Sequence, residues 1–164
     1  MRDDAMMEAY KDIALRFRVH SYLRYTDLFE SLCKAVFPEF GIPNERVDWL
    51  CLSVREAVNN AVLHGNKKDP AKWIEFEIER AGEDVLMRVW DEGHGFDQGV
   101  LSDPTAPENL LRPSGRGIFL IRQFVDGVRF LADRPGHFGM EMRVDLKKSS
   151  RISEEEERDG VQNV

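Results

Sequence analysis

The sequence predicts a two-layer α/β sandwich, built from a mixed, mostly antiparallel five-stranded sheet with three helices on one face. Two observations predict this class. Five segments alternate apolar and polar residues, as half-buried strands do, and three segments repeat apolar residues every three or four positions, as amphipathic helices do. A sheet with one apolar face needs one covering layer, so we expect the helices there and leave the polar face to solvent or a partner.

The strands are predicted from period-two alternation. The first pattern covers 13–20, the next two cover 74–79 and 85–90, and the last covers 140–146. A shorter and weaker pattern covers 128–132.

The helices are predicted over roughly 22–37, 44–64 and 117–126. The middle pattern is the clearest, because its apolar residues recur at three and four positions throughout. Asn44 stands where a capping residue is expected, and Gly65 stands just past the expected end.

The composition limits the kinds of protein to consider. A chain of 164 residues with 42% hydrophobic content can bury one core, so we expect one domain. We place this domain at 11–146, after a lead at 1–10. The remaining residues, 147–164, are rich in Ser and Glu and are expected to form a polar, disordered tail. The net charge of −7 gives no basic surface for nucleic acid or anionic lipid.

The first residues lack the apolar run of a secretory signal or a membrane span, so we expect a cytoplasmic protein. Cys33 and Cys51 each stand beside apolar residues at helical spacing. They are predicted to be reduced buried thiols rather than a disulfide or a metal site.

A first motif lies on the middle helix, where Glu56, Asn60 and His64 follow one another at steps of four and share one stripe. The pair Asn59 and Asn60 is poor helix material, because short amides compete with the backbone for hydrogen bonds. The stripe predicts side chains that point at a ligand. A solvated helix face explains the same spacing.

A second motif, Asp-Glu-Gly-His-Gly at 91–95, directly follows the third strand. Asp91 keeps the parity of the buried positions, so its carboxylate should point between sheet and helices. Burying it is tolerable if it accepts hydrogen bonds, for instance from the exocyclic amine of adenine, while Gly93 and Gly95 let the backbone approach a flat ring. A simple Asp-Gly turn is the alternative.

A third motif opens the last helix, and its residues are Ser114, Gly115, Arg116, Gly117 and Ile118. A helix N-terminus with flanking glycines predicts a seat for phosphate, although a flexible loop meeting a helix is also compatible. The Rossmann and P-loop signatures are both absent. The preceding stretch 96–114 is rich in Pro and Gly and is predicted to be a lid.

The three motifs, found together and in this order, indicate a function far more specifically than any one of them does alone. Residues 55–65 resemble the N box of the GHKL ATPases, and specifically that of the anti-sigma factor serine kinases. The motif at 91–95 looks like their first glycine box, and 115–121 with 124–128 looks like their second. The resemblance spans roughly 13–146 and implies the Bergerat, or histidine kinase-like ATPase, fold, with 11–146 as the ATP-binding kinase domain.

The resemblance also implies roles for single residues and two cofactors, ATP and Mg²⁺. Glu56 would be the general base, Asn60 the Mg²⁺ ligand, and Asp91 the reader of adenine. The residues implied to contact ATP come from all three motifs: Asn60, His64, Gly65, Asp91, Gly93, Gly95, Ser114, Gly115, Arg116, Gly117 and Ile118.

The implied function is an ATP-dependent serine kinase that binds a sigma factor and phosphorylates an anti-anti-sigma (STAS-type) antagonist. Pro113 stands where these kinases often carry a basic residue for the γ-phosphate, so Arg112 or Arg116 would have to replace it. Without such a replacement, a non-catalytic ATP-binding switch module that captures a protein partner is the alternative. A homodimer fits the resemblance too, with the solvent-side face of the sheet or the first helix as its interface.

Overall fold

The computed structural model describes residues 14–95 and 116–148. The strands are β1 (Ala14–His20), β2 (Trp73–Ala81), β3 (Asp84–Asp91), β4 (Gly127–Leu131) and β5 (Phe138–Asp145). The helices are α1 (Thr26–Val36), α2 (Asn44–Asn60) and α3 (Arg116–Phe124), with 3-10 turns at Leu23–Tyr25 and Phe37–Phe40 on either side of α1. All eight predicted segments therefore form the predicted kind of element. No helix within the described ranges is long and apolar enough to cross a bilayer.

The strands form one sheet in the order β1-β2-β3-β5-β4, and each neighbouring pair is antiparallel. The predicted class is confirmed, and the described sheet is antiparallel throughout rather than mixed. The β2–β3 hairpin turns at Gly82, whose φ of +65° lies in the left-handed region that glycine adopts without steric cost.

The inner face of the sheet packs against the helices. Its side chains on β2, β3 and β5 are buried, among them Ile74, Phe76, Ile78, Val85, Met87, Val89, Met140, Met142 and Val144. The helices bury Phe29, Leu50, Val54, Val58 and Ile121 in the same core. Since burying one such side chain contributes about 1.5–3 kcal/mol, this single layer supplies the main driving force for folding.

Both cysteines lie in this core, on α1 and α2, and both are free thiols, as the sequence predicts. Burial raises the pKa of Cys51 to about 12 and also raises the pKa of Cys33. These thiols are therefore protonated and unreactive at neutral pH.

The outer face of the sheet carries a row of alternating charges, one residue from each strand in sheet order. Cross-strand register places these residues side by side: Arg16, Glu77, Arg88, Glu141 and Arg129. Each neighbouring pair makes an ion pair, as between Arg88 Nε and Glu141 Oε2 at 2.7 Å. We call this row the outer-face ladder. The charged side chains of this row are therefore paired with one another across the strands.

Helix α2 differs from the prediction at both ends. Pro43, in an extended conformation, is the cap residue, and its carbonyl accepts a hydrogen bond from the N–H of Arg46, so Asn44 is already helical. The predicted Asn44 cap is therefore wrong. At the other end the helix does not stop before Gly65 but continues as a wide turn of the π type over Ala61–Gly65, with the N–H of Asn66 donating to the Ala61 carbonyl at 2.7 Å.

Candidate functional site

One side of the site is a close approach between the wide turn after α2 and the end of β3. Asp91 ends β3 on the inner face, as strand parity predicts, and is only 6% exposed. A Cβ on Gly65 would lie 2.5 Å from Asp91 Oδ1, and a Cβ on Gly93 would lie 2.5 Å from the Gly65 carbonyl oxygen. Any side chain at either position would collide with its neighbour, so glycine is required here for space. We call Gly65, Asp91 and Gly93 the carboxylate cradle.

The Asp91 carboxylate is buried without a cation beside it. Burial raises its pKa to about 6, and the Gly93 N–H, which donates to Asp91 Oδ1 at 2.7 Å, offsets this only in part. Lys72 and His137 lower the pKa by weaker, longer-range attraction. Among the described residues, no arginine or lysine makes an ion pair with this carboxylate. Such a group is available to accept a hydrogen bond from a ligand.

The other side of the site lies where α2 meets the start of α3. A Cβ on Gly117 would lie 3.0 Å from Glu56 Oε2 and 3.3 Å from Asn60 Nδ2. The Asn60 Nδ2 atom is buried, and it has no hydrogen-bond partner in the described part of the chain. The first N–H groups of α3 begin beside these two side chains, and a helix N-terminus attracts anions.

The wide turn connects the two sides. Asn60 ends the regular part of α2 and Gly65 ends the wide turn, so the two positions lie roughly 7 Å apart along the helix axis. The carboxylate cradle therefore includes the end of the wide turn, and the cluster of Glu56, Asn60 and Gly117 lies at the end of α2, where the wide turn begins.

Three other predicted site residues, His64, Gly95 and Ile118, lie within the described part of the chain. His64 is exposed on the wide turn, where the regular four-residue spacing from Asn60 no longer holds. Gly95 has a φ of +72° and packs on the ring of Phe138. Ile118 is half-buried against the core.

Part of the third motif lies outside the described residues. This applies to Ser114, Gly115 and the side chain of Arg116, to the predicted lid at 96–114, and with it to Arg112 and Pro113.

Two residues beside the cradle are not predicted by the sequence, namely Asn66 and Glu92. Asn66 is fully buried. Its Nδ2 donates to the Trp73 carbonyl at 2.9 Å, and its Oδ1 accepts from the Glu92 N–H at 2.8 Å. Glu92 Oε2 in turn accepts from the Trp73 N–H at 2.7 Å. An Asn after a Gly reads locally as an ordinary helix end, so no sequence signal distinguishes it.

An open cavity of about 270 Å³ lies on the outer face, with Glu92 among its lining residues. Its walls include Arg18, Trp73, Trp90, Arg134 and His137. Trp90 is covered by the Arg134 guanidinium, 4.0 Å from the ring centroid, and its Nε1 donates to Glu77. The cavity is therefore lined by groups that are already paired with each other. The inner site remains the better candidate.

Residues 21–144 match the family model described as histidine kinase-like ATPase domain. The match covers well over half of the chain and includes the carboxylate cradle, Glu56, Asn60 and Gly117. It confirms the family resemblance predicted from the motifs.

Curated relatives align over most of the same region. The serine-protein kinase RsbW of Staphylococcus aureus (strain bovine RF122 / ET3-1) is 29% identical over 125 residues, which cover 72% of this chain and 79% of that protein. The protein of the same name from Staphylococcus epidermidis is 27% identical over 121 residues, which cover 70% of this chain and 76% of that protein.

Solved structures share the fold. The structure of the RsbU and RsbW domains of Rv1364c from Mycobacterium tuberculosis aligns with a TM-score of 0.58 and 16% identity over 81% of this chain. This chain spans 32% of that longer one. The SiaB-SiaC complex from Pseudomonas aeruginosa aligns with a TM-score of 0.54 and 12% identity over 87% of this chain and 95% of that one.

Proposed function

Because the chain belongs to the family of histidine kinase-like ATPase domains, we propose that it is an ATP-dependent serine kinase that binds a sigma factor and phosphorylates an anti-anti-sigma antagonist of the STAS type. One observation carries the proposal. A carboxylate, Glu56, and a buried amide, Asn60, meet at Gly117, beside the N-terminal end of a helix. The serine-protein kinases among its relatives support the reaction, and a structural neighbour solved as a complex of two proteins supports a protein partner.

The carboxylate cradle is suited to the base of the nucleotide. An ionised Asp91 can accept a hydrogen bond from the exocyclic amine of adenine, and the side of the cradle formed by Gly65 and Gly93 carries no side chain to obstruct a flat ring. Guanine presents a carbonyl oxygen at the equivalent position, which an ionised carboxylate repels. The site is therefore expected to prefer adenine nucleotides.

The residues at the start of α3 are suited to the phosphates and to Mg²⁺. The Asn60 Nδ2 atom is buried without a partner among the described residues, so its N–H₂ can donate to a phosphate oxygen, and the amide oxygen of the same group is a ligand that hard cations accept. Asn60 would hold Mg²⁺, and the N–H groups of α3 would face the phosphate oxygens. When bound, Mg-ATP supplies the phosphoryl group and neutralises its developing charge. Glu56 would orient the serine hydroxyl of the substrate protein and accept its proton.

Nucleotide binding is the first test. Calorimetry with ADP, ATP, GDP and GTP, with and without Mg²⁺, should show binding that is stronger for adenine than for guanine nucleotides. Asn60→Ala should remove the Mg²⁺ dependence of binding. If the wild-type chain takes up no adenine nucleotide in the presence of Mg²⁺, the proposal fails.

Phosphoryl transfer is the second test. The purified chain is incubated with γ-labelled ATP and each STAS-domain protein of its own organism, and the label is followed on serine. Glu56→Gln should retain ATP binding and reduce transfer about 100-fold or more, because it cannot accept the proton. Glu45→Gln, an exposed carboxylate in the first turn of the same helix, is the matched control and should transfer normally.

The same assays separate the kinase from a non-catalytic switch. A switch module would bind ATP and capture its partner in an ATP-dependent manner, yet yield no phosphoprotein with any candidate. Equal transfer by wild type and Glu56→Gln would instead contradict the assignment of the base while keeping the enzyme.

A further inference from the structure

Three segments that surround the carboxylate cradle are tied together by one buried side chain. Asn66 follows the wide turn after α2, Trp73 begins β2, and Glu92 follows β3. The Asn66 amide bonds to the backbone of both other segments, and the Glu92 carboxylate closes the cycle by accepting from the Trp73 N–H. We call these three residues the Asn66 joint.

The joint needs an amide at its centre. Asn66 donates to a carbonyl and accepts from an N–H at the same time, with no exposure to solvent. An aspartate would place a negative oxygen against the Trp73 carbonyl, and an apolar residue would leave the partly buried Trp73 carbonyl and Glu92 N–H without these partners. Since a buried unsatisfied group costs more than a normal hydrogen bond contributes, either change would push the segments apart.

The joint lies directly behind the carboxylate cradle. Asn66 is the residue after Gly65, and Glu92 stands between Asp91 and Gly93. The bond from the Glu92 N–H to Asn66 therefore fixes the distance between the two strips of backbone that form the cradle. The close approach within the cradle tolerates little change in that distance.

Contacts on the outer side of Glu92 are weaker. Its Oε1 lies 3.6 Å from Arg18 Nη2 and 4.0 Å from His137 Nε2, and these partners are 47% and 38% exposed. Exposed pairs at such distances contribute little, so the position of Glu92 depends on the backbone bonds of the joint.

We propose that Asn66 is a positioning residue for adenine recognition, which acts by holding the Asp91-to-Gly93 segment against Gly65 through its bonds to Glu92 and Trp73. This inference rests on the proposed nucleotide site. It adds a residue that would never touch the nucleotide yet would set affinity and base preference. Loss of the joint leaves Asp91 present but lets the cradle vary in width, which weakens binding of the base more than binding of the phosphates.

The experiment measures ADP and GDP affinity by calorimetry, beside unfolding by denaturant, for a small set of variants. Asn66→Ala should weaken ADP binding about 10- to 100-fold, and should lower the preference for ADP over GDP, at a temperature where the variant is folded. Glu92→Ala, which removes the bond to the Trp73 N–H together with the weak contacts to Arg18 and His137, should weaken ADP binding about fivefold. Glu92→Gln keeps an acceptor for that N–H and should restore near-normal affinity.

Two controls distinguish positioning from a general loss of stability. Ser53→Ala removes the hydrogen bond of another fully buried residue, to the Trp49 carbonyl on the same helix, and should leave ADP affinity unchanged. Arg18→Ala removes the outer partner of Glu92 and should change ADP affinity less than about twofold. In a chain that remains folded, reduced stability alone does not alter the measured affinity, because the binding-competent fraction stays near one.

The outcomes are distinct. If the wild-type chain does not bind ADP, the proposed function fails. If it binds ADP, and Asn66→Ala binds with the same affinity and base preference, the joint has no positioning role and the inference is overturned. If Asn66→Ala does not fold, the pair Glu92→Ala and Glu92→Gln decides: equal affinities in these two variants overturn the inference, and rescue by glutamine supports it.

Discussion

The two faces of the sheet bury carboxylates in different surroundings. On the outer face, Glu77 and Glu141 are 7% and 6% exposed, and arginines pair with both. On the inner face, Asp91 is equally buried at 6%, and it has a backbone N–H but no paired arginine or lysine among the described residues. The pKa values follow this difference: burial acts to raise both, but hydrogen bonds and charges from Arg134, Trp90 and Arg16 together lower the pKa of Glu77, whereas burial prevails at Asp91.

This difference separates a structural carboxylate from one that is available to a ligand. A buried charge that is fully paired has little capacity left for another partner, whereas a buried charge held by a single N–H retains open acceptor positions and a cost of burial. A ligand that donates a hydrogen bond to Asp91 offsets that cost. Burial alone would not have distinguished Asp91 from Glu77, but the inventory of partners does.

The largest effect is expected when the charge of Asp91 is removed without changing its shape. Asp91→Asn presents an amide N–H₂ where an acceptor is needed, so adenine nucleotide binding should weaken about 1000-fold or more. Its Oδ1 can still accept from the Gly93 N–H, so the free energy of unfolding at pH 8 should stay the same or rise. Calorimetry and urea unfolding measure the two quantities. A large loss of stability would show that Asp91 is structural, as Glu77 is.

The matching change on the outer face should have the opposite consequence. Arg88 contacts Glu77, Glu79 and Glu141, and its side chain is only 17% exposed. Arg88→Met should lower the free energy of unfolding by about 2–3 kcal/mol, because buried carboxylates lose a partner, and should leave nucleotide affinity unchanged. Arg143→Met is the control on the same face. Arg143 is 40% exposed, and its loss should cost under about 1 kcal/mol.

The pH dependence of stability should also differ between the two faces. The pKa of Asp91 rises from its usual 3.8 to about 6 on folding, so the folded chain holds this proton more tightly. The stabilisation is complete below the unfolded pKa and is lost as the pH rises through about 6, on the order of 3 kcal/mol. For Glu77, whose pKa is lowered, the stabilisation is present above its unfolded pKa and lost as the pH falls through the folded one.

Unfolding measured from pH 3 to pH 7.5 tests this sign. The stability of the wild-type chain relative to Asp91→Asn should fall across this range, and its stability relative to Glu77→Gln should rise. Nucleotide affinity should rise as Asp91 ionises, opposite to its effect on stability. If the stability of the wild-type chain relative to each variant changes with pH in the same direction, the two carboxylates do not differ in the way proposed.

The sequence predicts the inner face well, because periodicity is a local signal. Alternation along the third strand, continued to Asp91, predicts a carboxylate between the layers, and the structure has it there. Four-residue spacing likewise predicts that Glu56 and Asn60 share one stripe, and Gly117 does lie against both.

What the sequence does not predict depends on register or on an exception to regular geometry. The outer-face ladder exists only because four strand pairings align five charges, and no local pattern contains that alignment. The wide turn at Ala61–Gly65 interrupts the regular four-residue spacing before His64, and Pro43 takes the cap position predicted for Asn44. The Asn66 joint brings Glu92 to residues that precede it by 19 and 26 positions, so it too appears only after folding.

The smallest predicted effect tests whether the outer-face ladder behaves as separate pairs. Arg129, at the end of the row, is 68% exposed and contacts Glu141 Oε1 at 2.9 Å. Arg129→Ala should lower the free energy of unfolding by only about 0.5 kcal/mol, because solvent screens this pair and Arg88 still holds Glu141. In the double variant with Arg88→Met the cost of losing Arg129 should grow, since Glu141 then has neither arginine. If the two changes are additive, each arginine acts alone. If Arg129→Ala by itself costs as much as Arg88→Met, the row acts as one unit, and exposure does not decide which of its charges matter.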